Sequence, residues 1–227
     1  MTANSLDQMT VLHALDGKFA TKRITRTQDG KIKIKGYDRS YWFRVEQRPI
    51  DGFDDLAAAL TGLTGDPHAF VIRGEPRPGI DRNRARRRLH QHGTEPATFA
   101  PAARRWLTID VDKIKAPALT DPIVDPNDAV EYVIGRLPPE FHDISCYWHF
   151  TASQSLPGYE GLLSLRLWYW LDRACADDEL KRWAAKTNAD AGFKLVDPAL
   201  YSPAQPHYTA APIFIDFPTP LTARGRA

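Results

Sequence analysis

Cysteine is nearly absent from this sequence. Cys146 and Cys175 are the only two in 227 residues, which excludes a disulfide framework and gives no zinc-ligand spacing. A reducing, cytoplasmic setting is the expectation that follows. Long hydrophobic runs are absent too, so no segment is read as spanning a bilayer. The opening stretch MTANSLDQMTVLHALDG has no sustained apolar core and is not read as a signal peptide. Neither sign of charge dominates: the formal net charge is +2, so no global basicity announces a polyanionic partner. The glycine loops G-x-x-x-x-G-K-[ST] and G-x-G-x-x-G, which cradle phosphates in nucleotide folds, do not occur. Internal repeats and low-complexity tracts are missing as well.

What is present is an ordinary globular composition, 43% hydrophobic and 26% charged, long enough for one large domain or two small ones. Asp29-Gly30 sits between two β-prone runs in KRITRTQDGKIKIKGY, a hairpin signal. YWFRVEQRPI and HAFVIRGEP read as strands. GFDDLAAALTGLTGD between them reads as a helix with Leu56, Leu60 and Leu63 in its stripe. The arginine-laden segment from Asp81 to Arg105 reads as loop with one helical turn. DPNDAVEYVIGRLPPEF is a helix stopped by Pro138-Pro139, and DDELKRWAAKTNADAG a helix burying Leu180, Trp183 and Ala184. ISCYWHFTAS and LLSLRLWYWLD are long strands joined by QSLPGYEG, while FKLVDPALY and PIFIDF read as short extended segments and PTPLTARGRA as linker. Two long strands in succession break any regular βαβ series, so the fold class is α/β of the α+β kind rather than doubly wound.

Within this frame RRWLTIDVDK, residues 104 to 113, poses a problem. Side chains alternate along a strand, so Leu107, Ile109 and Val111 take one face and Trp106, Thr108, Asp110 and Asp112 the other. Two carboxylates two residues apart, with Cα atoms roughly 7 Å apart, repel unless a shared cation or a basic neighbour relieves them. Solvated aspartates at a strand end are the plainer reading of a bare D-x-D. In LLSLRLWYWLD, Arg166 lies amid apolar residues and needs a partner, either an anionic ligand such as a phosphate or a neighbouring carboxylate. Asp197 precedes a proline in an apolar stretch, where it marks turn initiation or a third acid.

The order of these features resembles the catalytic domain of archaeo-eukaryotic primases, the primase-polymerase superfamily, in the versions carried by phages, plasmids and other mobile elements. The features are a D-x-D strand, a serine-containing strand and turn, the strand RLWYWLD, and a later lone aspartate. The resemblance covers most of the chain and extends to TKRITRTQDGKIKIKGYDRSYWFRVEQ, FVIRGEPRPG and DPALYSPAQPHYTAAPIF. It implies a single catalytic domain over 1–227. Residues 1–100 would form a smaller N-terminal lobe and 101–220 a core around an RRM-like sheet. The whole would be a unit able to stand as the N-terminal part of a longer replication protein with a helicase. It implies metal ligation by Asp110, Asp112 and Asp197 on two Mg²⁺ or Mn²⁺ ions, and nucleotide phosphates bound by a serine-histidine pair. Here Arg166 stands at the histidine position, with Ser153 or Ser155 at the serine position and His149 as a stand-in imidazole. Arginine can hold a triphosphate bidentately but cannot transfer a proton.

The implied activity is DNA primase or polymerase: nucleotidyl transfer from nucleoside triphosphates on a single-stranded DNA template, as hard cations and carboxylate oxygens allow. Arg73 would help to neutralise the triphosphate, its plainer reading being a solvated strand end. Arg82, Arg84, Arg86, Arg87 and Arg88 form the strongest local excess of positive charge. They are either a solvated loop or contacts to template phosphates without base specificity. Lys31, Lys33 and Lys35 alternate along one hairpin arm as a second basic strip. Two rivals stand beside the enzyme: a module of the same fold that binds single-stranded DNA or a replication origin without synthesis, and a metal-dependent nuclease.

Overall fold

The structure is a computed structural model that describes residues 7–118, 121–154, 156–216 and 223–227. In chain order its strands begin with β1 (Asp7–Ala14), β2 (Arg23–Arg26), β3 (Ile32–Lys35), β4 (Phe43–Ile50), β5 (Ala69–Ile72), β6 (Glu75–Pro76) and β7 (Phe99–Ala100). They continue with β8 (Arg104–Lys115), β9 (Cys146–Phe150), β10 (Leu162–Cys175), β11 (His207–Tyr208), β12 (Ile213–Ile215) and β13 (Arg224–Arg226). The helices are α1 (Phe53–Leu63), α2 (Pro126–Ile134) and α3 (Asp177–Ala191), with 3-10 turns at Pro139–Phe141 and Pro198–Tyr201. Sheets that are mainly antiparallel and helices laid over them make the fold α+β. No described helix is long and apolar enough to cross a membrane.

Two four-stranded sheets carry the architecture. The first has the order β11-β5-β1-β4, the second β13-β9-β10-β8. In the second, β10 lies antiparallel between β8 and β9, so β8-α2-β9 is a crossover with a strand inserted, the split β-α-β arrangement. An RRM-like sheet has this order for its first three strands. Here the outer edge beside β9 is taken by β13, from the segment expected to be linker. Alternation decides which face each residue covers. Leu107, Ile109 and Val111 of β8 join Leu163, Leu165, Leu167 and Tyr169 of β10 under the buried stripes of α2 and α3. Helix α2 begins where Asp125 accepts hydrogen bonds from the backbone N–H groups of Asn127 and Asp128, with Pro126 in the first turn.

The opposite face of the second sheet is shared between packing and polarity. At one end Trp106, Tyr147 and Trp168 pack on Met9, Val11, Ile50 and the stripe Leu56, Leu60 and Leu63 of α1. At the other end lie Asp110 and Arg166. The first sheet is built on β1, which reads in the sequence only as a stretch without a leader's apolar core. It pairs with β4 along its whole length and with β5 on its other side. The hairpin at Asp29-Gly30 forms as expected, with Gly30 at φ 81°, and β12 adds to β2 in parallel. FKLVDPALY is not simply extended: Asp197 caps a 3-10 turn through its bond from the Ala199 N–H, 3.2 Å. The arginine-rich loop contains β7 and no helical turn.

Arg73 joins the two sheets. It is fully buried: Nε donates to Asp177 (2.7 Å), Nη1 to the Trp106 carbonyl (2.5 Å) and Nη2 to the Cys175 carbonyl (2.7 Å). Next to it, a Cβ on Gly74 would meet the Pro203 carbonyl oxygen at 2.8 Å, so the chain passes there only as glycine. Asp177→Ala would strand a buried guanidinium, and urea unfolding is expected to show a loss of about 3–5 kcal/mol.

His207 is buried between Trp106 and Trp168, ring centroids 5.6 and 5.9 Å away, with neither ring nitrogen hydrogen-bonded. Burial, then Arg166 and Arg73, hold its pKa well below the ordinary 6.5. The unfolded chain therefore binds a proton that the folded chain refuses, and stability present above pH 6.5 is lost as pH falls below it. The urea midpoint should drop on that acid side, and drop less in His207→Phe.

Candidate functional site

The candidate site is a row across the second sheet. Asp110 on β8 lies opposite Arg166 on β10, Arg166 opposite His149 on β9, and His149 opposite Arg224 on β13. Cross-strand neighbours are about 5 Å apart, so the row places one carboxylate, two guanidiniums and an imidazole in line. Arg166 has the neighbouring carboxylate that burial demands: its Nε and Nη2 each lie 3.1 Å from Oδ1 of Asp110, and Nη1 donates to the Tyr208 carbonyl at 2.8 Å. His149 is buried with Nδ1 unpartnered. Burial first, then Arg166 and Arg224, push its pKa well below 6.5, so it is neutral.

Beyond the row, β8 is bulged. Val111 faces Leu165 and Ile114 faces Leu163, so Asp112 and Lys113 together oppose Ser164. Lys113 sits at φ 61°, and both its N–H and the Asp112 carboxylate meet the Ser164 hydroxyl: Lys113 N donates to Oγ, and Oγ donates to Oδ1 of Asp112, each at 3.0 Å. Ser164 is in turn fixed by its N–H donating to the Gln154 side chain, 2.7 Å. The bulge re-aims Asp112 while leaving Asp110 in register.

Asp197 comes to the same place from the 3-10 turn. Asp110, Asp112 and Asp197 wall one cavity of about 240 Å³, completed by Lys194 and Leu195. Each acid commits Oδ1 to the protein: Asp110 to Arg166, Asp112 to Ser164, and Asp197 to the Ala199 N–H and to Lys194 Nζ at 3.2 Å. For none of the three does Oδ2 have a hydrogen-bond partner among the described residues. As the side chains stand, no three acids, histidines or cysteines among the described residues are placed to hold a metal ion together. The donor set nonetheless fits a hard divalent cation. Mg²⁺ is held by one or two carboxylates together with substrate phosphates and water, rather than by an all-protein cage.

On the other side of Arg166 is a small basic pocket of about 30 Å³, lined by Lys22, His149, Thr151, Arg166 and Arg224 together with Tyr37 and Tyr208. No acid lines it. Arg166 thus connects the two: it borders the basic pocket and pairs with Asp110, which walls the carboxylate cavity. Tyr37, stacked on Tyr208 with ring centroids 3.4 Å apart, has its pKa pushed up to about 12, by burial foremost.

The expected residues divide. Asp110, Asp112, Asp197, Arg166 and His149 are brought together. Ser153 is buried, its hydroxyl 3.4 Å from that of Thr151, and Thr151 rather than Ser153 borders the basic pocket. Ser155 lies outside the described residues. Arg73 is corrected: completely buried and held through all three nitrogens, it is a structural tie and not a phosphate ligand.

The arginine-rich loop is not uniformly solvated. Arg82 donates to Gln47 (3.0 Å), Arg88 pairs with Glu95 (2.5 Å), and Arg87 donates to the Ala204 carbonyl. Arg84 stacks over Trp42, and Arg86 over both Tyr41 and Trp42. Lys22, Tyr37, Ser164, Lys194, Tyr208 and Arg224 are site residues that the motifs did not indicate. Ser164 was legible by alternation with Arg166; the rest arrive from distant segments. Compared with protein-family models, curated proteins and solved structures, the chain matches none.

Lys113→Val, a branched residue forced to positive φ, should lose about 1–2 kcal/mol of stability. Lys113→Gly should not, and paired denaturation curves check the bulge.

Proposed function

We propose that the chain is a template-directed nucleotidyltransferase of the primase-polymerase kind, joining nucleotides on single-stranded DNA. One observation carries the reading: three carboxylates from two separate segments wall one cavity, each with an uncommitted oxygen, and Arg166 pairs with one of them while bordering a pocket that carries Lys22 and Arg224 and no acid. Carboxylates beside cations are what a nucleoside triphosphate and its companion metal ions require. Bound Mg²⁺ or Mn²⁺ would favour deprotonation of the attacking 3′-hydroxyl and steady the departing pyrophosphate.

The chain's own groups have distinct tasks. Asp110, Asp112 and Asp197 offer Oδ2 atoms as ligands, while Arg166, Ser164 and Lys194 hold their Oδ1 atoms. Lys22 and Arg224 attract the triphosphate at the mouth of the basic pocket, which has room inside for little more than a water. Arg166, its nitrogens held by Asp110 and the Tyr208 carbonyl, adds positive charge at the pocket's border. His149, neutral and buried, orients rather than carries charge. The exposed loop arginines Arg82 and Arg84 add salt-dependent attraction for the template.

A second reading has a specific observation in its favour. Arg166 already neutralises Asp110, which weakens that carboxylate's pull on a cation and suits a module that binds single-stranded DNA without synthesis. One assay separates the two readings. Purified protein, a single-stranded template, Mg²⁺ or Mn²⁺ and labelled nucleotides should give new labelled product, and Asp110→Ala or Asp112→Ala should abolish it while leaving the fold intact. A gel shift without product in the unmutated protein would establish the binding module instead. Arg166→Ala should raise the nucleotide KM about tenfold or more, and an unchanged KM would remove Arg166 from phosphate binding.

A further inference from the structure

A concavity that combines aromatic rings with cations lies outside the carboxylate site, on the N-terminal side of the molecule. It encloses about 480 Å³ and is walled by aromatic rings, among them Tyr37, Tyr41, Phe70 and Tyr208, with Arg39 and Arg87 at its edge. That volume is in the range of small-ligand sites, roughly 300–1,000 Å³. A purely structural cluster would bury its rings, but Tyr41 is 58% exposed. Arg39 is exposed and has no carboxylate partner among the described residues, and Arg87 lies with its guanidinium 5.7 Å from the Phe70 ring centroid. Lys18, Asp38 and Ser40 share the lining, so the wall is mixed. Ring faces suit a planar base, and Lys18, Arg39 and Arg87 outnumber the one carboxylate and suit a phosphate.

The surroundings choose a strand over a free nucleotide. The surface does not stop at the pocket. Arg86 lies over Tyr41 at 5.1 Å and over Trp42 at 5.0 Å, and Arg84 over Trp42 at 4.4 Å, so ring and cation alternate outward along a ridge. A second cavity of about 530 Å³, with Trp42, Arg84 and Arg86 in its wall, lies beyond. Successive bases and phosphates of a polymer fit such a repeat, whereas a mononucleotide uses one station. The exposed rings need unpaired base faces, which a duplex does not offer. At its inner end the pocket shares Tyr37 and Tyr208 with the basic pocket, and the Tyr208 carbonyl accepts a hydrogen bond from Arg166.

We infer that this aromatic pocket and the Tyr41–Arg86–Trp42 ridge bind single-stranded DNA by base stacking. The strand would thread past the Tyr37–Tyr208 pair toward Asp110. The choice of a strand leading to that site rests on the synthetase reading above; the stacking itself does not.

The test is fluorescence anisotropy of labelled oligo(dT) with the full chain, without metal or nucleoside triphosphate so that no synthesis intervenes. Thymidine monophosphate serves as the single-nucleotide competitor. Tyr41→Ala, at an exposed position, should weaken oligo(dT) binding about tenfold. Tyr41→Phe should bind as the unmutated protein does, and Arg39→Ala should reduce the salt slope by about one. Equal binding by Tyr41→Ala and the unmutated protein overturns the inference. So does monophosphate competing as well as the oligonucleotide, because the site then takes free nucleotides. The two readings fail separately. Loss of binding in Tyr41→Ala by a protein that incorporates no nucleotide keeps this inference and sinks the synthetase. Incorporation with Tyr41→Ala binding unchanged does the reverse.

Discussion

The buried guanidinium of Arg73 is central to how the two four-stranded sheets are held together, beside the bonds from Arg104, Arg105 and Trp106 to Asp7 and Gln8. Arg73 follows β5 of the first sheet, reaches a carbonyl on β8 at the free edge of the second, and pairs with Asp177 at the head of α3. A sheet edge left open exposes unpaired carbonyls, and a buried one leaves them unsatisfied. On β8 the Trp106 carbonyl receives Arg73 and the Thr108 carbonyl receives the Tyr201 hydroxyl at 3.0 Å, so that stretch of edge is closed by side chains. Past Thr108 the cover ends, and there the carboxylates begin. The cleft is the part of the edge that the tie leaves uncovered.

The chemistry of the site follows from register. Because the period of a strand is two, a residue's face is settled by its parity, and cross-strand pairing then settles its neighbours. Asp110, Arg166, His149 and Arg224 share one face and one row, so a negative end and a positive end are built into the same line. Were β8 regular to its end, Asp112 would simply repeat the direction of Asp110. The two-for-one bulge opposite Ser164 breaks that repetition and places the second acid where Asp197 also arrives. The row supplies the cation and the bulge supplies the convergence of acids.

Much of this was legible from the chain. The parity of Leu107, Ile109 and Val111 against Asp110 and Asp112, the stripe of α1, and the hairpin at Asp29-Gly30 all depend on neighbours within a few residues. So does the need of Arg166 for a partner, although sequence left open whether a ligand or a carboxylate would meet it. Register across β8 and β10 decided for Asp110. What local pattern does not carry was missed: β1 gave no strand signal that was read, and the tail Arg224–Arg226 became an edge strand only because β9 offered a free side. Arg73 looked like the solvated end of an apolar run and is the most deeply held cation in the molecule. The Tyr37–Tyr208 stack joins residues far apart in sequence, which no short-range rule can anticipate.

The closing stretch of the chain also has a bearing on how the protein comes to be folded. β11 completes the first sheet against β5, β12 extends the hairpin sheet beside β2, and β13 returns to the second sheet beside β9. Each of the three larger sheets therefore waits for residues beyond 206. Pairings of such long sequence separation carry a large loop-closure entropy before any contact rewards them, and they slow folding. During synthesis the earlier strands would stand with open edges until residues 207–226 have left the ribosome. Exposed like charges such as Lys33 and Lys35 on β3 disfavour edge-to-edge pairing between chains while those edges stand open.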